Sequence, residues 1–215
     1  MTLSAELAEE IARSEIGGLR ARLLAEPPQI SLTPKRSDYD LNPDTRPNAA
    51  AKLTPAAVLL PIVARPDPTV LFTRRTPHLS RHAGQVSFPG GRVHESDLTL
   101  VETALRETQE ETGITAAFVS VAGFLDSYET GTGFAILPVV GLLSEGYTLL
   151  PDANEVEEVF ELPLAFLLDP ANRERRSMEW QGRRREFYAF IYDRHYIWGA
   201  TAGILVNFAD RVTAA

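Results

Sequence analysis

The most informative segment of this 215-residue chain reads Arg106-Glu107-Thr108-Gln109-Glu110-Glu111-Thr112-Gly113-Ile114. On a helix, Glu110 and Glu111 would lie about 60° to one side and about 40° to the other side of Glu107. Carboxylates this close repel one another, so a helix gains from them only when a cation lies between them. Oxygen ligands without Cys or His suit Mg²⁺ or Mn²⁺ better than zinc. The segment therefore predicts a metal-binding helix face, and a solvated acidic helix surface is the alternative.

The apolar pattern around this helix indicates a sheet beside it. Leu98, Val101 and Leu105 fall on roughly the opposite face from the glutamates, as in a helix that packs against strands. Further apolar segments predict strands over 56–64, 69–74, 117–125 and 134–143, a hairpin over 176–193 and a closing helix over 200–212. Strands on both sides of a helix, followed by a late helix, predict an α/β (α+β) fold with a mixed sheet between helices.

The N-terminal part predicts an appendage to this domain. Leucines and isoleucines spaced among charges predict an amphipathic helix that ends before Pro27-Pro28, with a covering or dimer-contact role. Residues 27–55 are rich in Pro, Asp and Asn, which indicates an extended, wrapping connection. We therefore expect an N-terminal segment over 1–55 and a folded domain over 56–215.

Composition excludes several classes of function. The chain has no Cys, which excludes disulfides, thiolate catalysis and cysteine zinc sites and suits a cytoplasmic protein. No apolar run is long enough to cross a bilayer, and the N-terminus lacks the pattern of a secretory signal. The net charge of −8 argues against nucleic-acid binding.

The glutamate helix, together with Gly91 and Asp97, resembles the signature of the Nudix hydrolases, which cleave nucleoside diphosphates linked to another group. Two departures stand out. Asp97 occupies the place of the usual first Glu and precedes the Arg by one residue more than usual, and Thr108 occupies a position that is usually apolar. We expect the extra residue to bulge the loop and leave the metal face intact. Asp97 is therefore a weaker metal candidate than the helix glutamates, and the alternative role for it is the N-cap of the helix.

A second stretch narrows the resemblance. Residues 71–76 and 82–91, which end in Phe88-Pro89-Gly90-Gly91, are similar to the additional signature of coenzyme A pyrophosphatases within the Nudix group. Ser80 stands where that pattern carries Arg, and Arg81 follows it. Residues 154–164 and 197–202 also resemble later segments of this group, so the similarity spans roughly residues 56–208. The resemblance implies a Nudix-like α/β/α sandwich and a Mg²⁺ or Mn²⁺ cofactor.

The metal-binding roles follow from the helix geometry and the resemblance together. We expect Glu107 and Glu111 to be the principal metal ligands, with Glu110 as an additional ligand or a base. Arg106 should point away from that face and pair with an acid that fixes the helix. The general base is open among Glu155, Glu157 and Glu158, with Glu158 slightly favoured, because the resemblance implies a glutamate on a later loop.

The substrate-binding residues are expected around the glycine turn. Arg74, Arg75 and Arg81 could contact diphosphate oxygens, although Arg74 and Arg75 point to opposite sides of a strand, so at most one faces the site. Gly90 and Gly91 would let the backbone approach metal or phosphate, and Gly113 would let the chain leave the helix.

The resemblance implies hydrolysis of coenzyme A or acyl-coenzyme A to adenosine 3′,5′-bisphosphate and 4′-phosphopantetheine or its acyl form. One alternative is the same chemistry on another nucleoside diphosphate derivative, such as ADP-ribose. Another is a non-catalytic nucleotide-binding module on the same scaffold. The expected partner is a small-molecule substrate, with neither nucleic acid nor membrane, and a homodimer is possible.

Overall fold

The computed structural model describes residues 17–28, 34–46, 52–79, 82–180 and 182–214. Its helices are α1 (Gly17–Arg22), α2 (Leu100–Thr112), α3 (Leu164–Leu168) and α4 (Gly199–Thr213). Its strands are β1 (Arg36–Ser37), β2 (Thr54–Val63), β3 (Thr69–Arg75), β4 (Val86–Ser87), β5 (Gly90–Arg92), β6 (Val119–Phe124), β7 (Tyr128–Glu129), β8 (Phe134–Leu143), β9 (Val156–Pro163), β10 (Glu174–Trp180), β11 (Arg183–Tyr192) and β12 (His195–Trp198).

A long parallel pair forms the centre of the main sheet. Strands β2 and β8 pair in parallel from Thr54 opposite Phe134 to Val63 opposite Leu143. Within the described ranges, nine strands join this sheet in the order β1-β7-β8-β2-β3-β4, with β5 on β2, β6 on β8 and β9 on β3. Strands β10, β11 and β12 form a separate antiparallel sheet. Since parallel and antiparallel pairs coexist in the main sheet, the predicted mixed sheet is confirmed.

Both faces of the main sheet are buried, each under a different helix. On one face, Ala57 and Leu59 of β2 pack with Ala104 of α2. On the other face, Leu60 and Ile62 belong to a larger cluster that includes residues of α4, β11 and β12. Burial on both sides explains why β2 is an almost continuous apolar run. The predicted arrangement of a sheet between helices is confirmed.

The buried face of α2 matches the predicted one only in part, since Val101 packs against the sheet as expected. Leu98 precedes the helix and is 87% exposed, so its assignment to the packing face was wrong. The buried residues of α2 are instead Thr103, Ala104, Thr108, Glu111 and Thr112. The buried polar groups are satisfied locally, since the Thr108 hydroxyl donates to the Ala104 carbonyl at 2.7 Å. Leu100 and Val101 also pack there, but the fully buried part of this face consists of small and polar side chains, which a search for large apolar residues could not find.

The N-terminal segment packs on the domain wherever it is described. Residues 1–16 of the predicted amphipathic helix lie outside the described residues, but Leu19 and Leu23 are buried in the main core. Further along, the Asn42 amide donates to the Glu186 carbonyl at 2.8 Å and accepts from the Glu186 N–H at 2.7 Å. Residues 34–46 therefore cross the molecule and attach to β11. No helix in the described part of the chain is long and apolar enough to span a membrane.

Candidate active site

The ends of α2 are fixed by side-chain and backbone caps. The Thr99 side chain accepts from the Glu102 N–H at 3.1 Å, which makes Thr99 the N-cap residue. At the other end, Gly113 adopts a φ of 79° and its N–H donates to Gln109. The predicted exit of the chain at Gly113 is confirmed. The N-cap role expected for Asp97 is wrong, because Asp97 lies two residues earlier and has other partners.

Asp97 is the anchor of Arg106. Two nitrogens of the Arg106 guanidinium donate to the two Asp97 oxygens at 2.9 Å each, and the Thr103 hydroxyl adds a bond at 2.9 Å. The Arg106 guanidinium holds the pKa of Asp97 well below its usual range. This bidentate pair ties the loop before α2 to the helix. Arg106 thus pairs with an acid, as expected, and the unusual Asp97 has a structural explanation.

Arg106 does not point away from the glutamates, contrary to the sequence-based expectation. Its Nη1 donates to Glu107 and to Glu110 at 2.9 Å each. The cation that relieves repulsion between these two carboxylates is therefore a guanidinium of the chain itself. Glu110 is turned toward Arg106 with 59% of its side chain exposed. Glu107 and Glu110 therefore share one Arg106 nitrogen, whereas Glu111 is not bonded to Arg106.

Glu107 and Glu111 face the glycine turn. A Cβ added at Gly91 would lie 2.5 Å and 2.6 Å from the two Glu107 carboxylate oxygens, so only glycine leaves room for this carboxylate. A Cβ at Gly90 would collide with the backbone of β2 instead. Glu111 is only 5% exposed, receives a hydrogen bond from the Gly90 N–H and lies beside the Thr73 hydroxyl. Each glycine of the turn is therefore required by a close approach.

Burial makes these two carboxylates costly to ionise. Burial raises the pKa of Glu111 to about 8, and the neighbouring Glu107 and Glu155 carboxylates add to this rise. Arg75 and the Gly90 N–H oppose it. Burial likewise raises the pKa of Glu107, against the influence of Arg106. Glu107, Glu111 and Glu155 are thus mutually repelling groups whose ionised forms gain from an added cation.

Arg75 lies on the same side as these glutamates. It interacts electrostatically with Glu111, and its Nη2 lies 3.8 Å from the Glu155 carboxylate. Its Nε is buried and has no hydrogen-bond partner. A buried guanidinium donor without an acceptor is costly, and guanidinium groups are the donors that bind phosphate oxygens best.

Arg74 points elsewhere, which agrees with the expectation that at most one of this pair faces the site. Its Nη2 contacts His195 Nδ1 at 3.0 Å and lies 3.6 Å from Glu158. Glu158 also pairs with Arg194, and His195 stacks on Phe160. Glu158, the favoured base, therefore lies in a cluster with Arg74, and it is Glu155 that neighbours Glu107 and Glu111. Glu157 is exposed.

Arg81, a predicted substrate contact, and the neighbouring Ser80 lie outside the described residues. One residue was missed by the sequence reasoning: Thr73, fully buried on β3, contacts Glu111. Its position two residues before Arg75 on a strand was the available signal, because alternate strand residues share a face.

The donor set suits a hard divalent ion. No group of three or more His, Asp or Glu side chains within the described ranges is arranged to hold a metal by itself. Mg²⁺, however, is commonly held by one or two carboxylates plus substrate phosphates, with water completing the shell. Glu107 and Glu111 supply two partly desolvated carboxylates four residues apart beside the glycine turn. The side chains of Glu107 and Glu111 therefore fit such an ion.

Comparison with known proteins identifies the family. The family model described as the NUDIX domain matches residues 53–181. The chain belongs to the Nudix family. It is similar to NudL of Yersinia enterocolitica, a Nudix hydrolase described as uncharacterized, with 43% identity over 157 residues. This match covers 73% of the chain and 80% of NudL. NudL of Yersinia pestis is 40% identical over 158 residues, and this match covers 74% of the chain and 79% of that NudL.

Solved structures of Nudix proteins are more distant. A MutT protein from Methanosarcina mazei is 24% identical, with a TM-score of 0.45, and the match covers 56% of this chain and 84% of that one. The predicted Nudix hydrolase class is confirmed by the family model and the relatives. Nudix hydrolases generally use divalent metals such as Mg²⁺ or Mn²⁺ and act on small nucleoside diphosphate derivatives.

Proposed function

We propose that this Nudix hydrolase cleaves the diphosphate of coenzyme A or its acyl derivatives. The observation that supports diphosphate chemistry most directly is the unpartnered Nε of Arg75 beside Glu111 and Glu155. A substrate phosphate oxygen would give this donor its missing acceptor. The preference for coenzyme A is supported by the similarity of residues 71–76 and 82–91 to the coenzyme A pyrophosphatase signature.

We assign the metal to Glu107 and Glu111. A bound Mg²⁺ or Mn²⁺ would supply neutralisation of phosphate charge and acidification of a water molecule. Gly91 keeps the Glu107 carboxylate at the turn, and the Gly90 N–H holds that of Glu111. Arg106 fixes the helix that carries both through its bond to Asp97. Glu110 shares Arg106 with Glu107 but is far more exposed, so we place it outside the ligand set.

Glu155 is our preferred general base in place of Glu158. A base must reach the water that attacks phosphorus, and Glu155 neighbours both proposed ligands. In the proposed reaction, the base takes a proton from water, the water oxygen bonds to one phosphorus, and the bridging P–O bond breaks. The other phosphate leaves with the bridging oxygen. The products are adenosine 3′,5′-bisphosphate and 4′-phosphopantetheine, or its acyl form.

The experiment is incubation with coenzyme A, dephospho-coenzyme A, ADP-ribose and a nucleoside triphosphate, with and without Mg²⁺ or Mn²⁺, and identification of products by mass. We expect metal-dependent release of the two phosphorylated halves of coenzyme A, faster than cleavage of ADP-ribose. Faster turnover of ADP-ribose would contradict the proposed substrate. Equal turnover of coenzyme A and dephospho-coenzyme A would argue against recognition of the 3′-phosphate.

A pair of variants distinguishes the two candidate bases. We expect Glu155→Gln to lower kcat by about 100-fold or more, within the range of general-base catalysis, and Glu158→Gln to lower it far less. The two residues have the same chemistry and lie three positions apart, so each serves as the control of the other. A larger loss in Glu158→Gln would restore Glu158 as the base.

A further inference from the structure

Thr73 is a buried hydroxyl with an unusual neighbour. It lies on β3 with no solvent exposure, and its Oγ1 is 3.3 Å from Glu111 Oε2. Alternation along the strand puts Thr73 on the same face as Arg75, two residues later. A threonine in this place costs more to bury than the equally shaped valine unless its hydroxyl is bonded. The hydrogen-bond partners of the Thr73 hydroxyl therefore indicate its role.

Ser87 supports the orientation of the Thr73 hydroxyl. The two residues are opposite one another in the β3–β4 pair, and their side-chain oxygens lie 3.2 Å apart. A hydroxyl carries one proton and can also accept, so a proton donated by Ser87 leaves that of Thr73 for another acceptor. The acceptors within reach are Glu111 at 3.3 Å and the Ser87 carbonyl at 3.4 Å. Of these two acceptors, the ionised Glu111 carboxylate is the stronger.

We infer that Thr73 is a positioning residue: its hydroxyl, supported by Ser87, fixes the Glu111 carboxylate in the orientation that holds the divalent cation. The inference rests on the proposed role of Glu111 as a metal ligand. The Gly90 N–H contacts the same carboxylate from the glycine turn. Donors on two different elements fix a carboxylate plane better than either alone. Partners of this kind around metal ligands tune affinity without touching the ion.

The test is direct titration with Mn²⁺, followed by electron paramagnetic resonance of the free ion. We expect Thr73→Val to weaken Mn²⁺ binding by about 10- to 100-fold and Thr73→Ser, which keeps the hydroxyl, to stay within about threefold of the unmodified protein. The matched control is Thr69→Val on the same strand and face. The Thr69 hydroxyl contacts Arg65 and Glu161, so this variant should bind Mn²⁺ normally.

The outcomes separate this inference from the proposed function. If Glu111→Gln binds Mn²⁺ as tightly as the unmodified protein, Glu111 is not a ligand and both claims fail. If Glu111→Gln weakens binding but Thr73→Val does not, only the positioning role fails. Should Thr73→Val not fold, Ser87→Ala serves instead, with an expected loss of about three- to tenfold. Unchanged affinity in Ser87→Ala would then overturn the inference.

Discussion

The position of the Glu107 carboxylate depends on the absence of a side chain at Gly91. The two oxygens occupy the space where a Cβ would lie. The nearest atoms are the far end of a flexible side chain, so an added methyl group would displace the carboxylate rather than disrupt the backbone. This makes Gly91 a residue that affects the site more than the fold.

We therefore expect Gly91→Ala to lower the hydrolysis rate by about 100-fold or more and to weaken Mn²⁺ binding, with a small change in Tm. Rates, metal titration and thermal unfolding would check this. Gly131→Ala is the matched control, because a Cβ there would lie 2.7 Å from the guanidinium of Arg185, another flexible side-chain end. A Gly91→Ala variant with an unchanged hydrolysis rate would show that the Glu107 carboxylate can leave the turn without loss of activity.

The buried Glu111 carboxyl should make the metal-free protein sensitive to pH. Its pKa rises from an ordinary 4.5 to about 8 in the folded state, so the folded chain binds this proton more tightly than the unfolded chain. The free energy of unfolding should therefore fall as pH rises from about 4.5 to about 8, by up to a few kcal/mol at ~1.4 kcal/mol per pKa unit.

Glu111→Gln removes this titration. In the presence of a chelator, its unfolding free energy should fall less than that of the unmodified protein between pH 5 and pH 8.5, as measured by urea denaturation. Parallel pH profiles for the two proteins would mean that burial does not raise the Glu111 pKa. Added Mn²⁺ should stabilise the unmodified protein most at high pH, where the carboxylate is ionised.

Sequence reasoning at this scale found the acidic helix but not the cations that the chain itself supplies to it. Adjacent glutamates need a cation, and the chain itself supplies two, Arg106 between Glu107 and Glu110 and Arg75 near Glu111. Arg106 reaches Glu110 one helical turn away, which sequence spacing can show. Its bidentate bond to Asp97 depends on the path of the preceding loop, which spacing does not show.

At the scale of elements, helix α2 must be held in register with the glycine turn, and its N-cap contributes to this. We expect Thr99→Ala to lower the unfolding free energy by about 1 kcal/mol, because the Glu102 N–H would lose its acceptor. Thr115 precedes a short 3₁₀ helix without a side-chain cap bond, so Thr115→Ala is the control and should cost far less. Equal losses in the two variants would exclude a capping role for Thr99.

Strand β9 shows why one element escaped prediction. Its Glu157, Glu158 and Glu161 are poor strand formers, so the segment did not resemble a strand. Two of these glutamates pair with arginines: Glu158 lies opposite Arg74 of β3, and Glu161 pairs with Arg65 in the loop before β3. Opposite charges across a strand pair stabilise such a sequence. The partners come from residues more than eighty positions away, which local pattern cannot reveal.

At the scale of the whole molecule, residues 34–46 connect distant parts of the domain. Asn42 bonds both backbone groups of Glu186, and Asp38 accepts from Tyr128, Gly131 and Arg185. The sequence predicted a wrapping segment here from its Pro and Asn content. It could not show where the segment attaches, because Asp38 and Asn42 bond to partners 90 or more positions away in the sequence.

We expect Asn42→Ala to lower the unfolding free energy by roughly 1–3 kcal/mol, because both backbone groups of Glu186 lose a buried partner. Asn172→Ala removes one local bond to the Phe166 carbonyl and should cost less. Chemical denaturation of both variants would check this. A neutral Asn42→Ala would mean that the segment is not needed for stability.

The central claim is that Glu107 and Glu111 hold the cation for diphosphate hydrolysis, and that Glu110 does not. The most direct measurement is the Mg²⁺-dependent hydrolysis rate of coenzyme A by Glu107→Gln, Glu110→Gln and Glu111→Gln, with Glu102→Gln as a control on the same helix. We expect losses of about 100-fold or more at Glu107 and Glu111, a much smaller loss at Glu110 and none at Glu102. Rates within a few fold of the unmodified protein for Glu107→Gln and Glu111→Gln would contradict it.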